Sequence, residues 1–435
     1  MEPYLVGVLA FFFLFVLIIL GVHIGIALFI VGSVGIIFVA GLSPALGILE
    51  VRPLDLLRSY TFAVVPLFIL MGHFAFMTGI TKDLFSAAHH WVGHMPGGLA
   101  IATCLACAGF AACSGSSIAS AATMGKVALP EMERYKYKIE LALGTIAAGG
   151  TLAMMIPPSI GIVVYGIFTG TSIGRMLIAG IIPGIIEAIS YILIIVFMCW
   201  HNPEIAPPGP RFSWRSRISS LKRIWLASLA VIIVLGGIYG GVFTATEAGG
   251  IGAFMLFVIG ILLRKINLRS FIDSLKQTAN TSGMIFLTIL GALVFAMFMA
   301  LTRLPVIISE KLLALPVSPM VILIGILVMY IILGMFIDAI GMWAITLPVI
   351  FPYTEAVGIN PIWFGILVMR TAEIGLISPP FGLNLFVLKG VAPDVPIERV
   401  IRGVLPFLFT DLFVLGLFVT FPGIVTYLPD LMAAF

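Results

Sequence analysis

The chain has 435 residues, 61% of them hydrophobic and only 10% charged, with 46 glycines, 33 phenylalanines and a formal net charge of +4. A mean hydropathy of +1.22 excludes an ordinary soluble domain and fits a chain that crosses a membrane many times. The small basic excess points to no nucleic acid, because in such a chain the placement of Lys and Arg matters more than their sum.

Apolar runs long enough for helices of about 20 residues lie, in order, at 4–20, 22–41, 60–79, 140–168, 176–200, 224–243, 246–263, 280–302, 362–388 and 399–422. The first, Met1 to Leu20, lacks the basic start of a secretory signal and leads straight into the second, so it reads as a retained span. After the third, "TKDLFSAAHHWVGHMP" sets Leu84, Ala88, Trp91 and Met95 on one helical face and His90 and His94 on another. That pattern predicts an interfacial arm helix; the two histidines lack a third ligand for a metal. Cys104, Cys107, Cys113 and Cys199 all fall in apolar runs, as packing residues. Two further apolar stretches, 97–130 and 319–352, are broken by "CSGSS" and "GMFIDAIG". They read as hairpins that enter the membrane and return. The expected fold is an all-α polytopic membrane protein with about ten transmembrane helices plus two re-entrant hairpins.

Basic residues assign the sides. Arg211, Arg215, Arg217, Lys222 and Arg223 lie two crossings before Arg264, Lys265, Arg269 and Lys276, so both groups face the same side, the cytoplasm. Counting outward from them, Arg134, Lys136, Lys138, Lys389, Arg399 and Arg402 are cytoplasmic as well, and both termini are periplasmic.

Superposing the chain on itself reveals a repeat. Pro157-Pro158 matches Pro379-Pro380 at a shift of 222 residues (379 − 157), and the same shift sets Ser116 on Asp338 and Pro130 on Pro352. Segments 97–200 and 319–422 are thus two copies of hairpin, linker, span broken at a double proline, and span. An odd number of crossings separates the two hairpins, so the second copy is inverted, an architecture of secondary transporters. The expected organisation is scaffold and arm over 1–96, a first transport unit over 97–200, and a basic linker over 201–223. Scaffold with a second arm follows over 224–318, then a second transport unit over 319–422 and a tail over 423–435.

Non-helical backbone at membrane depth must satisfy its polar groups within protein or a wet cavity. The hairpin tips offer hydroxyls, carbonyls and one carboxylate, which suit a hard cation such as Na⁺. The double prolines free carbonyls about one turn earlier, at 149–151 and 371–373. Candidate sodium ligands are Ser114, Gly115, Ser116, Ser117, Gly150 and Pro157 in the first copy, and Gly334, Asp338, Gly341 and Thr371 in the second. At Ser117, Ser120 and Ala121 small residues can equally serve close helix packing. Candidate substrate contacts are Thr151, Ser159, Arg370, Glu373, Ser378 and Asn384. Arg370 and Glu373, three residues apart in an apolar run, leave two readings open: a structural ion pair or a carboxylate clamp.

At "PLFILMGHFAFMTGI", "FAACSGSSIASAATMG", "IPPSIGIVVYGIFTGTSIGRMLIAGIIPG" and "GINPIWFGILVMRTAEIGLISPPFGLNLFVLKGVA" the sequence resembles the large membrane (M) subunit of the tripartite ATP-independent periplasmic (TRAP) transporters. The resemblance implies an elevator-type fold of the ion-transporter superfamily in a bacterial inner membrane, with transport driven by a sodium gradient and no other cofactor. It implies as partners a small four-helix membrane subunit (Q type), a periplasmic substrate-binding protein (P type) and membrane lipids. The cargo it implies is an organic anion: a sialic acid, C4-dicarboxylate, keto acid or sugar acid. No Ser-His-Asp set, zincin helix or phosphate loop is present, so an enzyme is not expected. A stand-alone symporter, a membrane enzyme and a channel are the alternatives.

Overall fold

The computed structural model describes residues 2–432, and among them every regular element is helical. The chain opens with α1 (Pro3–Ile19), α2 (Ile24–Ala40) and α3 (Leu42–Arg58), then a 3₁₀ turn at Tyr60–Ala63 and α4 (Val64–Met77). The arm α5 (Ile80–Val92) precedes the hairpin α6 (Gly98–Ser114) and α7 (Ser117–Arg134). The span that follows is α8 (Ile139–Met155) and α9 (Ile160–Thr169), bent by 43° at the double proline. Next come α10 (Ile173–Ala179) and α11 (Ile181–His201), then α12 (Trp214–Tyr239), α13 (Ala245–Leu262), α14 (Leu268–Thr302) and α15 (Leu304–Leu313). The second hairpin is α16 (Pro319–Gly334) and α17 (Ala339–Ala356), and its broken span is α18 (Pro361–Ile377) and α19 (Leu383–Val391). The chain closes with α20 (Ile397–Thr420) and α21 (Gly423–Met432).

The two copies fold alike because their local signals are alike. Each hairpin turns at a helix N-cap: Ser116 Oγ accepts from the Ala119 N–H (3.4 Å), and an Asp338 carboxylate oxygen accepts from the Gly341 N–H (3.1 Å). Each broken span parts at a cis Pro-Pro bond, Pro157-Pro158 and Pro379-Pro380, where the ring removes a backbone donor and stops the helix.

Three regions differ from the sequence expectation. Residues 42–58, unassigned in sequence, form α3; its exposed Leu42, Leu46, Leu54 and Leu57 alternate with Glu50, Arg52 and Asp55, a mixture too polar to read as a span. The linker at 201–223 is tied to its neighbours. Gly97 N–H donates to Ala206 O, Lys138 N–H to Ile205 O, and Gly209 N–H to Gly93 O, and α12 already begins at Trp214. The tail is helical over Gly423–Met432 and packs on α10 and α18, with Val425 and Pro429 buried.

Packing depends on close backbone approach, since helices in lipid gain no hydrophobic energy from meeting one another. A Cβ on Gly25 would lie 2.7 Å from Leu287 O, and one on Gly291 2.2 Å from Gly25 O, so α2 and α14 cross in backbone contact. The same holds for α8 and α20, where a Cβ on Gly144 would lie 2.0 Å from Gly403 O. The 35 residues of α14 span roughly 52 Å. It therefore runs from the second basic loop through the whole depth expected of a bilayer.

Candidate functional site

The two hairpin tips meet at one cavity of about 540 Å³. One wall is the tips themselves, Ser114 to Ala119 and Asp338 to Ile340, together with Met154, Ile160, Gly161 and Leu376. The opposite wall is the second half of α4, with Gly72, His73 and Phe76, and the first half of α14, with Gln277, Thr281 and Met284. Those stretches adjoin α5 and the basic loop Arg264–Arg269, so the cavity sits toward the basic end of the bundle.

The tips carry the polar chemistry. Ser114 Oγ and Ser120 Oγ are 3.0 Å apart, and buried Ser117 Oγ has no hydrogen-bond partner. Gly115 caps α6 at φ +60°, and a Cβ there would press within 3.0 Å of Pro158 O. Glycine thus lets the first tip lie on the break between α8 and α9, where the Ile160 N–H donates to Gly115 O. At the second tip one Asp338 oxygen caps α17 and the carboxylate borders the cavity. The C-terminal carbonyl end of α6 borders the same cavity as the N-termini of α7 and α17. Carbonyl ends attract a cation and N-termini an anion, so the cavity can accept a pair of opposite charges side by side.

Of the residues singled out from sequence, Ser114, Gly115, Ser116, Ser117 and Asp338 line this cavity. The others lie elsewhere. Gly150 lets α8 rest on Ala121 and the Ser117 carbonyl of α7, and Gly334 lies against the Gly375 backbone of α18. Gly341 donates its amide to Asp338. Pro157 is in the break, and the Thr371 hydroxyl donates to Val368 O inside its own helix. Ser159 caps α9, Ser378 Oγ donates to Ile374 O, and fully buried Asn384 donates to Ala147 O across to α8.

Arg370 and Glu373 have zero side-chain exposure, and both terminal nitrogens of the guanidinium are already paired, while its Nε has no partner. It pairs with Glu187 of α11, with Asp411 of α20 at 2.6 Å and with Glu373 at 3.3 Å. Thr151 belongs to the same group, 3.3 Å from Glu187 Oε1 and 3.0 Å from the Tyr191 hydroxyl, which itself donates to Glu187. The i, i+3 ion pair is present, extended by two acids from other helices. As a substrate clamp it has no open face in this conformation.

Sequence reasoning missed Glu187 and Asp411, although a lone acid inside an apolar run is a signal in itself. It also missed His73, Gln277 and Thr281, whose role as the facing wall depends on which helices meet.

The sequence profile described as "Tripartite ATP-independent periplasmic transporter, DctM component" matches residues 11–424. The chain is 36% identical over 406 residues to a C4-dicarboxylate TRAP transporter large permease protein DctM of Pseudomonas aeruginosa, covering 91% of this chain and 92% of that one. It is 34% identical over 378 residues to the sialic acid TRAP transporter large permease protein SiaM of Vibrio cholerae, covering 87% and 88%. Among solved structures, the fold resembles the YdaH transporter of Alcanivorax borkumensis with a TM-score of 0.65 at 17% identity, over 97% of this chain and 98% of that one.

Proposed function

The chain belongs to the DctM component family of tripartite ATP-independent periplasmic transporters, and from that premise we propose that it imports organic anions through the inner membrane under the drive of a sodium gradient. The single observation that carries this reading is the cavity between the inverted hairpin tips. It combines hydroxyls, a carboxylate and helix ends of both polarities on one wall with polar His73, Gln277 and Thr281 on the other. Ser114, Ser116, Ser117 and Asp338 are the sodium-binding groups of this proposal.

An elevator motion is the proposed mechanism, and the way the walls are built supports it. The tips belong to the two repeat units, and the facing wall belongs to α4 and α14, which pack with α2 and α13. Sliding one body past the other would carry the tips, with ion and anion, from one side of the membrane to the other. Charge makes the drive sufficient: each net positive charge moved inward across about 100 mV supplies ~2.3 kcal/mol. That corresponds to roughly fiftyfold accumulation at about 1.36 kcal/mol per decade.

The relatives named for C4-dicarboxylates and sialic acid make a carboxylate-bearing acid the proposed cargo. The family's tripartite description and the relatives' "large permease" names fit a small membrane subunit and a periplasmic binding protein as partners. Exposed apolar side chains on α1 to α3, among them Phe12, Phe13, Phe38 and Leu42, offer the small subunit a surface at the edge of the bundle. The deciding experiment measures uptake of candidate acids into proteoliposomes with and without an inward sodium gradient. The chain is tested alone, with its small partner, and with both partners. Uptake only in the full system with sodium is expected. Full-rate uptake by the chain alone would make it a stand-alone symporter, and uptake indifferent to sodium would remove the coupling.

A further inference from the structure

The cluster around Arg370 lies outside the cavity and has no part in the function proposed above. One guanidinium faces three carboxylates, Glu187, Glu373 and Asp411, each on a side chain with zero exposure. Two carboxylates are therefore in excess of the positive charge. Three oxygens, Glu187 Oε2, Glu373 Oε1 and Asp411 Oδ2, are buried without any hydrogen-bond partner. Buried carboxylates that face no counter-charge do not stay ionised; they take up either a cation or a proton. A shared metal ion is disfavoured by geometry. Among the described residues no group of three or more His, Cys, Asp or Glu side chains is arranged to hold one, and the acids are distributed over both terminal nitrogens of the guanidinium. The other titratable groups near the cluster are Tyr191 on α11 and Cys104 on α6, whose thiol lies 3.7 Å from Ala188 O. Neither supplies a positive charge.

We propose that this cluster is a buried proton-binding site that holds one proton on Glu373 and one on Asp411, with Glu187 as the main partner of Arg370. The assignment follows the donors. Glu187 Oε1 receives Arg370 and the Tyr191 hydroxyl and has the Thr151 hydroxyl beside it, more donors than either of the other two carboxylates has. Glu373 makes the longest of the three contacts to Arg370 and keeps Oε1 unpartnered, and Asp411 engages a single guanidinium nitrogen and leaves Oδ2 unpartnered. Each proton comes from water during folding and forms an O–H bond on a carboxylate oxygen, so the cluster as a whole is neutral. Its layout follows the repeat. Glu373 stands at the position equivalent to Thr151 under the 222-residue shift, and Glu187 and Asp411 lie on α11 and α20, the last helices of the two copies. The site thus lies where the two inverted copies meet.

The test uses the full chain in an alkyl maltoside detergent, which carries no carbonyl group of its own, and is independent of transport. Infrared spectra at neutral pH should show a carboxylic-acid carbonyl band, the same in sodium and in choline buffer, that survives in an Asp338→Asn control. Glu373→Gln and Asp411→Asn, neutral isosteres of the protonated acids, should each remove part of that band and leave the melting temperature unchanged. Glu187→Gln should lower the melting temperature, because it disturbs the oxygen that Arg370, Tyr191 and Thr151 share. Absence of the band in the wild-type chain overturns the proposal, and so does its appearance only when sodium is withdrawn. It also fails if Glu373→Gln and Asp411→Asn destabilise the chain as much as Glu187→Gln. Where a variant does not fold, the wild-type comparison between sodium and choline still decides.

Discussion

Asp338→Asn separates two jobs that one side chain performs. As the N-cap of α17, Asp338 accepts the Gly341 N–H at 3.1 Å, and Asn caps a helix about as well as Asp. The hairpin should therefore fold unchanged. What Asn removes is the negative charge at the cavity wall. Contacts to a charged group contribute about 1.5–3 kcal/mol and neutral ones about 0.5–1.5 kcal/mol, so the substitution should cost sodium binding about 1–1.5 kcal/mol. At about 1.36 kcal/mol per decade, that is roughly a five- to thirteenfold rise in the sodium concentration for half-maximal uptake. Asp338→Ala loses the cap as well, adding about 1 kcal/mol of lost stability, and should show both a larger rise and a lower melting temperature. The assay is initial uptake against external sodium at fixed ionic strength in the reconstituted system, paired with the sodium-induced rise in melting temperature of the purified chain. Asp430, an exposed acid near the C-terminus, provides the control as Asp430→Asn. If Asp338→Asn keeps the wild-type half-saturation and the wild-type sodium-induced stabilisation, Asp338 is only a cap and the ion site must be sought elsewhere.

Ser117→Ala removes a buried hydroxyl that has no protein partner; sodium half-saturation should rise by less than for Asp338→Asn while stability stays level or improves, as measured by the same titration and by melting. Gly144→Ala forces a Cβ to within 2.0 Å of Gly403 O and should cost about 1–3 kcal/mol by overpacking, whereas Gly416→Ala, with open space around it, should be silent; equal melting temperatures for the two would contradict the backbone contact of α8 and α20. A cysteine pair replacing Ile24 on α2 and Gly341 on α17, which lie in contact here, should be joined by a short bismaleimide in one transport state only and should then arrest uptake. Equal cross-linking yield with and without sodium and substrate would argue against sliding bodies and for local gating.

Much of the architecture was legible in the chain because it rests on local chemistry. Proline lacks a donor and breaks a helix wherever it stands in one, so Pro157-Pro158 and Pro379-Pro380 marked both interruptions and, through their spacing, the repeat. Serine and aspartate at 116 and 338 marked the tips of the two hairpins and their correspondence in the repeat; that both are N-caps came only from the structure. The hydrophobic runs fixed the helices because lipid demands that each backbone group be satisfied within its own segment.

Tertiary structure alone decided which of these helices face one another. Inside a bundle a helix is apolar on every side, so its sequence period no longer says which face meets which neighbour. Arg370 and Glu373 were visible as a pair, but that acids 183 residues earlier (370 − 187) and 41 residues later (411 − 370) complete the group depends on how α11 and α20 close over α18. For the same reason Thr151 and Arg370, expected at the substrate, lie in that buried cluster. Meanwhile His73 and Gln277, which no motif marks, form the wall across from the sodium-site candidates. Glycine obeys the same division: the chain shows that it is abundant, and only the close approach of α2 to α14 and of α8 to α20 shows where a single added carbon would not fit.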